Sequence, residues 1–255
     1  MIEIENVEVV GWEHAIRGMR NPMNSWNKID SDYRNILCAK CDDCKSFKNK
    51  QWEDCDNCLV SKKCDSNEGF MVGPNDLDLM MRLRNSGTDH RKFMRMIIVY
   101  ADVTAPLYWW KEADTYKVGT VRNSCSTMHK ITEKEFTLDD FSCENLIEND
   151  AKTELLADGN DTNILVTPKN LLNITIGCLN NYRRKFLNTR EKQWWWQIIQ
   201  LLPSSYNQRA TLMLNYEVLA NIYHSRKAHK LDEWRDFCKW IETLPYSELI
   251  TGGDV

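Results

Sequence analysis

Six of the ten cysteines in this 255-residue chain fall between Cys38 and Cys64, and no other feature restricts its folding as strongly. Cys38, Cys41, Cys44, Cys55, Cys58 and Cys64 are spaced C-x2-C-x2-C-x10-C-x2-C-x5-C, with Lys and Asp between them. Residues 35–67 hold few apolar side chains, so burial alone can hardly order them and a covalent or metal tie is expected. Each C-x2-C pair is a knuckle that points two thiolates at one ion; two knuckles complete a tetrahedron, which suits zinc, with iron–sulfur as the softer alternative. Six thiolates exceed four. That leaves open a two-zinc cluster, a four-cysteine site with two spectators, or a cluster that is not zinc. Disulfides and unliganded thiols are the competing readings, and disulfides belong to secreted chains. The expectation is a metal-binding insertion at 35–67 that acts as a staple rather than as a catalyst.

The opening MIEIENVEVV is acidic, unlike a signal peptide, and the longest apolar stretch, Met96 to Val103, is too short to span a bilayer. A cytoplasmic protein without a membrane segment is therefore expected. Hydrophobic residues at 42% and charged residues at 27% match ordinary globular chains. Lys plus Arg number 33 against 37 Asp plus Glu, a net charge of -4. Broad nucleic-acid binding driven by counterion release is not expected of such a chain, although a local basic pocket is compatible with it.

Periodicity predicts a strand over residues 2–10, then a helix carrying Trp12, Ala15, Ile16 and Met19. Pro74 opens a helix that Asn85-Ser86-Gly87 stops, Met96 to Val103 is a strand, and a short helix follows Pro106. A turn near Gly119 leads into the polar run RNSCSTMH. Residues 137–163 read as acidic and irregular. Helices are expected from Pro168 to Arg183-Arg184-Lys185, from Trp194 to Leu202, from Tyr206 to His229, and from Leu231 to Leu244.

Two stretches combine polar groups with apolar surroundings, Lys111 to His129 and Arg209 to Arg226. On a single helix Arg209, Asn215, Asn221 and Arg226 share no strict face, so they would line adjoining surfaces of an oligomer or lie on a solvated face. Two arginines can fork onto a phosphate, and Asn amides can read a ring through paired donor and acceptor atoms. Cys125, flanked by Ser124 and Ser126 with His129 nearby, is either an activated thiol or a structural one. Trp194-Trp195-Trp196 reads as helix packing or a subunit interface rather than as a ligand platform.

The strings VTAPLYWWKEADTYKVGT, from Val103 to Thr120, and LPSSYNQRATLMLNYEVLANIYHSR, from Leu202 to Arg226, resemble the two site-forming segments of the flavin-dependent thymidylate synthases. Val103, Ala105 and Pro106 match the turn before the first site helix. Leu202, Pro203, Arg209, Asn215, Leu219, Asn221 and Arg226 match the second segment at fixed offsets. The two strings and the surrounding order of elements span about two thirds of the chain and leave out the cysteine-rich insertion and residues 137–163. Where the family has Arg-His-Arg, this chain has Thr115-Tyr116-Lys117. Thr120 stands at the motif serine, Cys125 at a later serine and Thr127 at a substrate-binding arginine; a one-residue shift places Asn123 and Ser126 in register instead.

The resemblance implies an α/β (α+β) fold with a mixed sheet flanked by long helices, a single domain over 1–255, and a homotetramer. It implies C5 methylation or hydroxymethylation of a pyrimidine deoxynucleotide with a folate and reduced flavin. The alternative is a catalytically inactive homologue that binds a nucleotide or a protein partner. Residue by residue, Arg209 and Arg226 would bind the nucleotide, and Asn215 and Asn221 the FAD ring, joined by Lys117 and Tyr116 from the altered motif and by His229, with His224, closing the flavin edge in place of the missing histidine, unless these two only complement the dipole of a helix end. Glu112 corresponds to a glutamine that reads the base; a carboxylate there accepts from an amino group and favours a cytosine-like ring. Cys125 and Lys117 are the candidate catalytic groups.

Overall fold

The computed structural model describes residues 1–35, 68–149, 152–156 and 163–252. The six clustered cysteines lie outside the described residues, as do parts of the acidic stretch. Eight strands are described: β1 (Glu3–Val10), β2 (Asp32–Asn35), β3 (Glu68–Met71), β4 (Ile98–Pro106), β5 (Val121–Ser124), β6 (Thr153–Leu156), β7 (Asn163–Val166) and β8 (Asn207–Asn215). The α-helices are α1 (Trp12–Arg20), α2 (Pro74–Asn85), α3 (Leu107–Ala113), α4 (Thr127–Lys130), α5 (Pro168–Thr189), α6 (Lys192–Leu201), α7 (Tyr216–Arg226), α8 (Asp232–Glu242) and α9 (Glu248–Thr251). The chain is thus α/β, with a four-stranded sheet in the order β1-β4-β8-β5 and two separate strand pairs, β2-β3 and β6-β7.

The chain divides into two compact units. The first holds Met1–Glu8, Val99–Leu214 and Asn221–Leu244. In β4, Val99, Ala101, Val103 and Ala105 are buried while Tyr100 is exposed, the two-residue period of a strand with one covered face. β8 corrects the expectation of one helix from Tyr206 to His229. Gln208, Ala210, Leu212 and Leu214 are buried and alternate with exposed Arg209 and Thr211, so this segment extends, and the helix begins only at Tyr216. The leucines at 212 and 214 are two apart, which is a strand step; Leu219 and Ile222 had supplied a helical spacing from the next element. β5 pairs antiparallel with β8, with Arg122 opposite Leu212 and Asn123 opposite Thr211.

The acidic stretch is also more regular than expected. It contains a 3-10 turn at Leu138–Asp140 and the antiparallel β6-β7 pair, in which the backbone of Leu155 is in register with that of Ile164. The polar run RNSCSTMH divides between β5 and the single turn α4, capped where Ser126 Oγ accepts from His129 N at 3.2 Å. α5 and α6 pack over a cluster of Ile131, Phe136, Phe141, Leu172, Ile176, Leu179 and Ile198, with Trp195 against it. Trp196 stays exposed, and Trp194 stacks on Tyr182 with ring centroids 6.1 Å apart.

The second unit holds Val9–Ile98, Asn215–Ala220 and Pro245–Val255. Gly11, at φ +93, allows β1 to turn into α1; a Cβ there would lie 2.1 Å from the Met96 carbonyl oxygen. Asp30 accepts from the backbone N–H groups of Asn75 and Asp76 at 2.8 and 3.0 Å and so caps α2. Asp76, fully buried, accepts from Arg20 Nε at 2.7 Å and from Ser31 Oγ at 2.6 Å. Burial alone would raise its carboxyl, but the hydrogen bonds from Ser31 and Arg20 outweigh that and hold it below the usual carboxylate range. No helix among the described residues is long and apolar enough to cross a membrane.

Candidate functional site

A cavity of about 340 Å³ lies in the first unit, against the sheet face that carries Leu212 and Leu214. Its aromatic wall comes from α3 and α8. Trp109 and Trp110 are both buried, and the Trp109 ring lies 4.7 Å from Trp234 and 5.5 Å from Phe237. Successive tryptophans can both be buried here because α3 is wedged in: Trp110 Nε1 donates to the Gln208 carbonyl oxygen at 2.9 Å, which fixes the helix to β8. The Arg122 guanidinium carbon sits 4.1 Å above the Trp110 ring centroid. Arg122 Nη1 reaches both carboxylate oxygens of Asp114 at 2.7 Å and its Nη2 reaches Gln208 Oε1 at 2.7 Å. Gln208 Nε2 in turn donates to the Cys125 carbonyl oxygen at 2.8 Å. Tyr116, Lys117 and Thr120 complete the lining from the loop after α3.

Beside the cavity stands an ion-pair cluster built from three elements. Glu112 of α3 accepts on one oxygen, Oε2, from Arg226 Nη1 of α7 at 2.8 Å and from Trp234 Nε1 of α8 at 3.0 Å. His229 Nε2 is 3.5 Å from the same oxygen. Arg226 Nε donates to the Tyr116 hydroxyl at 2.9 Å, and the guanidinium lies over the Trp234 ring at 4.9 Å. Four residues singled out from sequence, Glu112, Tyr116, Arg226 and His229, therefore meet in one place, and Lys117 lines the neighbouring cavity. Trp234, Trp109, Arg122 and Gln208 were missed. Trp234 and Phe237 carry the helical spacing of an ordinary core face, and nothing local marks Trp234 as a polar partner.

The other candidates lie elsewhere. Arg209 shares its strand face with Thr211, opposite to Leu212 and Leu214, so it points away from the cavity. It pairs with Glu5 at 3.1 Å and with Asp102 at 3.0 Å. Asp102 also accepts from Thr211 Oγ1 at 2.6 Å and from Asn6 Nδ2 at 2.9 Å. Those hydrogen bonds, Thr211 foremost, lower its carboxyl to about 2. Cys125 is exposed and donates its backbone N–H to the Arg209 carbonyl oxygen at 2.9 Å; among the described residues no side-chain hydrogen bond joins it to His129. Asn221 is exposed on α7. Asn215 belongs to the second unit, where its Oδ1 caps α7 by accepting from Val218 N at 2.9 Å. Among the described residues no group of three or more His, Cys, Asp or Glu side chains is placed to hold a metal ion.

With its four-stranded sheet in the order β1-β4-β8-β5, the chain is similar in fold to flavin-dependent thymidylate synthases. Thymidylate synthase X from Helicobacter pylori, solved with FAD and dUMP, overlays with a TM-score of 0.59 at 12% identity, over 99% of this chain and 98% of that one. A second structure of the flavin-dependent thymidylate synthase from Helicobacter pylori, complexed with FAD and dUMP, gives 0.57 at 14% identity over 98% of each chain. The UMP/dUMP methylase PolB from Streptomyces cacaoi, bound with 5-Br dUMP, gives 0.51 at 12% identity over 99% of this chain and 95% of that one. No protein-family model and no curated protein matches the sequence. The likeness is one of fold, and it extends beyond the two thirds of the chain that the motifs covered.

Proposed function

We propose that this chain binds a pyrimidine deoxynucleotide and transfers a one-carbon unit to C5 of the ring, with a folate as the carbon source and FAD as the redox cofactor. The observation that carries this reading is the overlay of 99% of the chain on a thymidylate synthase whose structure holds FAD and dUMP. Bound reduced flavin would supply the hydride. The donor set suits it: exposed Asn221 offers an amide and exposed Lys117 an ammonium, with the Tyr116 hydroxyl and His229 close by. A cavity of about 340 Å³ is too small for a whole dinucleotide, so most of the cofactor would lie across the surface.

Arg226 is the charge-assisted donor for the nucleotide, and Glu112 holds its guanidinium in place until the nucleotide arrives. Arg209 faces the other side of the sheet. Both arginines therefore act on one nucleotide only if different copies contribute them, which supports the homotetramer. Cys125 and Lys117 remain the candidate catalytic side chains. The six cysteines between Cys38 and Cys64 would hold zinc, or an iron–sulfur cluster, as a structural staple.

The reading is tested by adding FAD, removing the excess by gel filtration, and recording the visible spectrum with and without dUMP. A retained oxidised-flavin spectrum, followed by release of the C5 hydrogen from labelled dUMP, supports it. A colourless protein that still binds dUMP supports a second reading, a nucleotide-binding homologue without redox chemistry. Two features favour that second reading: Thr115 and Tyr116 stand where the family has Arg and His, and Glu112 already neutralises Arg226. A broad brown absorption would assign the cysteines to iron–sulfur rather than zinc.

A further inference from the structure

The hairpin formed by α5 and α6 is basic in a chain whose net charge is -4. From Pro168 to Leu201 it holds six basic residues and a single acid, Glu191. Lys169, at the far end, pairs with Glu148 at 3.3 Å. The other five, Arg183, Arg184, Lys185, Arg190 and Lys192, fall around the turn between the helices, and among the described residues none of them pairs with a carboxylate. Arg183 donates to the carbonyl oxygens of Thr132 and Glu133 at 2.9 and 3.0 Å, which fixes the side chain and leaves its charge uncompensated. Glu191 is engaged otherwise, accepting from Gln193 Nε2 at 2.8 Å and from Trp194 Nε1 at 2.9 Å. Arg190 takes the left-handed conformation, φ 59, that glycine ordinarily supplies at the end of a helix, so a cation stands at the tip of the turn.

Three of these cations rest on rings instead. Lys185 Nζ lies 4.3 Å from the Trp194 ring centroid, Lys192 Nζ 5.6 Å from Trp196, and the Arg190 guanidinium carbon 5.9 Å from Phe186. Trp196 is exposed and Trp194 half-buried. Uncompensated cations interleaved with accessible rings suit an anionic polymer that also carries flat faces. Other polyanions fit less well. A bilayer takes up aliphatic side chains, yet no Leu, Ile or Val is exposed between Tyr182 and Gln200, and Leu172, Ile176, Leu179 and Ile198 all turn into the core. An acidic peptide would meet the cations and leave the rings unused, and a duplex keeps its base faces inside its own stack.

We propose that the tip of the α5–α6 hairpin is a binding surface for single-stranded nucleic acid, in which Arg184, Lys185, Arg190 and Lys192 meet phosphates while Trp196, and Trp194 once Lys185 turns to a phosphate, stack on bases. Phosphate and base-face contacts read neither sequence nor sugar, so single-stranded DNA and RNA bind alike. The negative charge of the rest of the chain confines the polymer to this patch and keeps the affinity modest. The surface shares no residue with the cavity beside α3 and does not rest on the proposed reaction.

The test titrates the full chain into fluorescein-labelled oligo-dT and oligo-U of about 12 nucleotides and follows the anisotropy. Micromolar binding of both is expected at low salt, with log K falling against log salt at a slope of about -2 to -3, the value for three or four phosphates of a single strand. Arg184→Gln, Lys185→Gln and Lys192→Gln together should weaken binding at least about tenfold and flatten the slope, whereas Trp196→Ala should weaken it about tenfold and leave the slope unchanged. All four side chains are exposed, and melting curves that match the parent establish that the variants fold. Should the triple variant melt early, Arg184→Gln alone serves, with a slope shallower by about 0.7. Unchanged affinity in the charge variant, or duplex DNA or polyglutamate that binds as tightly as the single strand, would overturn the proposal. Vesicles of phosphatidylserine and phosphatidylcholine that bind where the oligonucleotides do not would overturn it in favour of a membrane surface. Saturating dUMP should leave oligonucleotide binding intact, and competition would place the strand in the nucleotide site and overturn the proposal too. Loss of oligonucleotide binding with dUMP and FAD still bound sinks this inference alone; oligonucleotide binding without dUMP or FAD binding sinks the proposed function alone.

Discussion

Arg226 and Glu112, 114 residues apart in sequence, meet as a half-buried ion pair with Nη1 2.8 Å from Oε2. The pair ties the end of α7 to α3; the Tyr116 hydroxyl accepts from Arg226 Nε and Trp234 Nε1 donates to Glu112. Arg226 Nη1 and Trp234 Nε1 both donate to the same carboxylate oxygen of Glu112, Oε2.

Because the pair is partly solvated, its coupling is modest. Glu112→Gln and Arg226→Gln should each lower stability by roughly 1 kcal/mol, and the double variant should cost less than their sum by a similar amount. Urea denaturation of the four proteins measures this. If Glu112 reads the base, Glu112→Gln also shifts preference from dCMP towards dUMP in equilibrium binding; an unchanged ratio removes Glu112 from base selection.

Gln208 uses every polar group of its side chain, with Oε1 on Arg122 and Nε2 on the Cys125 carbonyl. Gln208→Leu leaves both partners unpaired near the cavity, and a loss of about 2–3 kcal/mol is expected in urea melts. Gln208→Glu keeps the acceptor for Arg122 and should recover part of that loss.

In the second unit, Asp76 joins Arg20, Asp30 and Ser31 with no exposure to water. Asp76→Ala strands the buried Arg20 charge and should cost about 3–5 kcal/mol. Its folded carboxyl lies below the unfolded value, so this contribution is complete above the unfolded value and is lost as the pH falls through the folded one. Acid denaturation of Asp76→Asn beside the parent should therefore show the parent losing its advantage at low pH.

Asp102 offers a second acid-sensitive contact. Its carboxyl is lowered to about 2, so the stability it brings is present above the unfolded value of 3.8 and fades towards pH 2. Thermal melts of Asp102→Asn and the parent should differ above about pH 4 and converge near pH 2. A constant difference across that range would mean that the Thr211, Asn6 and Arg209 contacts do not depend on the charge.

Asn215 separates capping from cofactor binding. Asn215→Ala should cost about 1 kcal/mol through loss of the α7 cap, while Asn215→Ser restores most of it. If the amide also contacts flavin, the serine variant will be stable but will fail to retain FAD on gel filtration.

Local pattern was enough for much of this protein. The strand at Glu3–Val10, the helix from Pro74 to Asn85 with its proline start, and the helix after Pro106 all follow from periodicity and from punctuation by proline and glycine, which act over a few residues. The motif offsets around Glu112, Tyr116 and Arg226 likewise identified residues that come together. Tertiary structure decided the rest. Asn207–Asn215 is a strand because β5 and β4 supply its hydrogen-bond partners, and such partners leave no mark on the segment's own leucine spacing. That one change of element turned Arg209 to the far side of the sheet from Leu212. It also left Trp109, which nothing in its own neighbourhood singles out, around the same cavity as Thr120 and Arg122, because burial and hydrogen-bond satisfaction are properties of the packed chain and not of any one stretch of it.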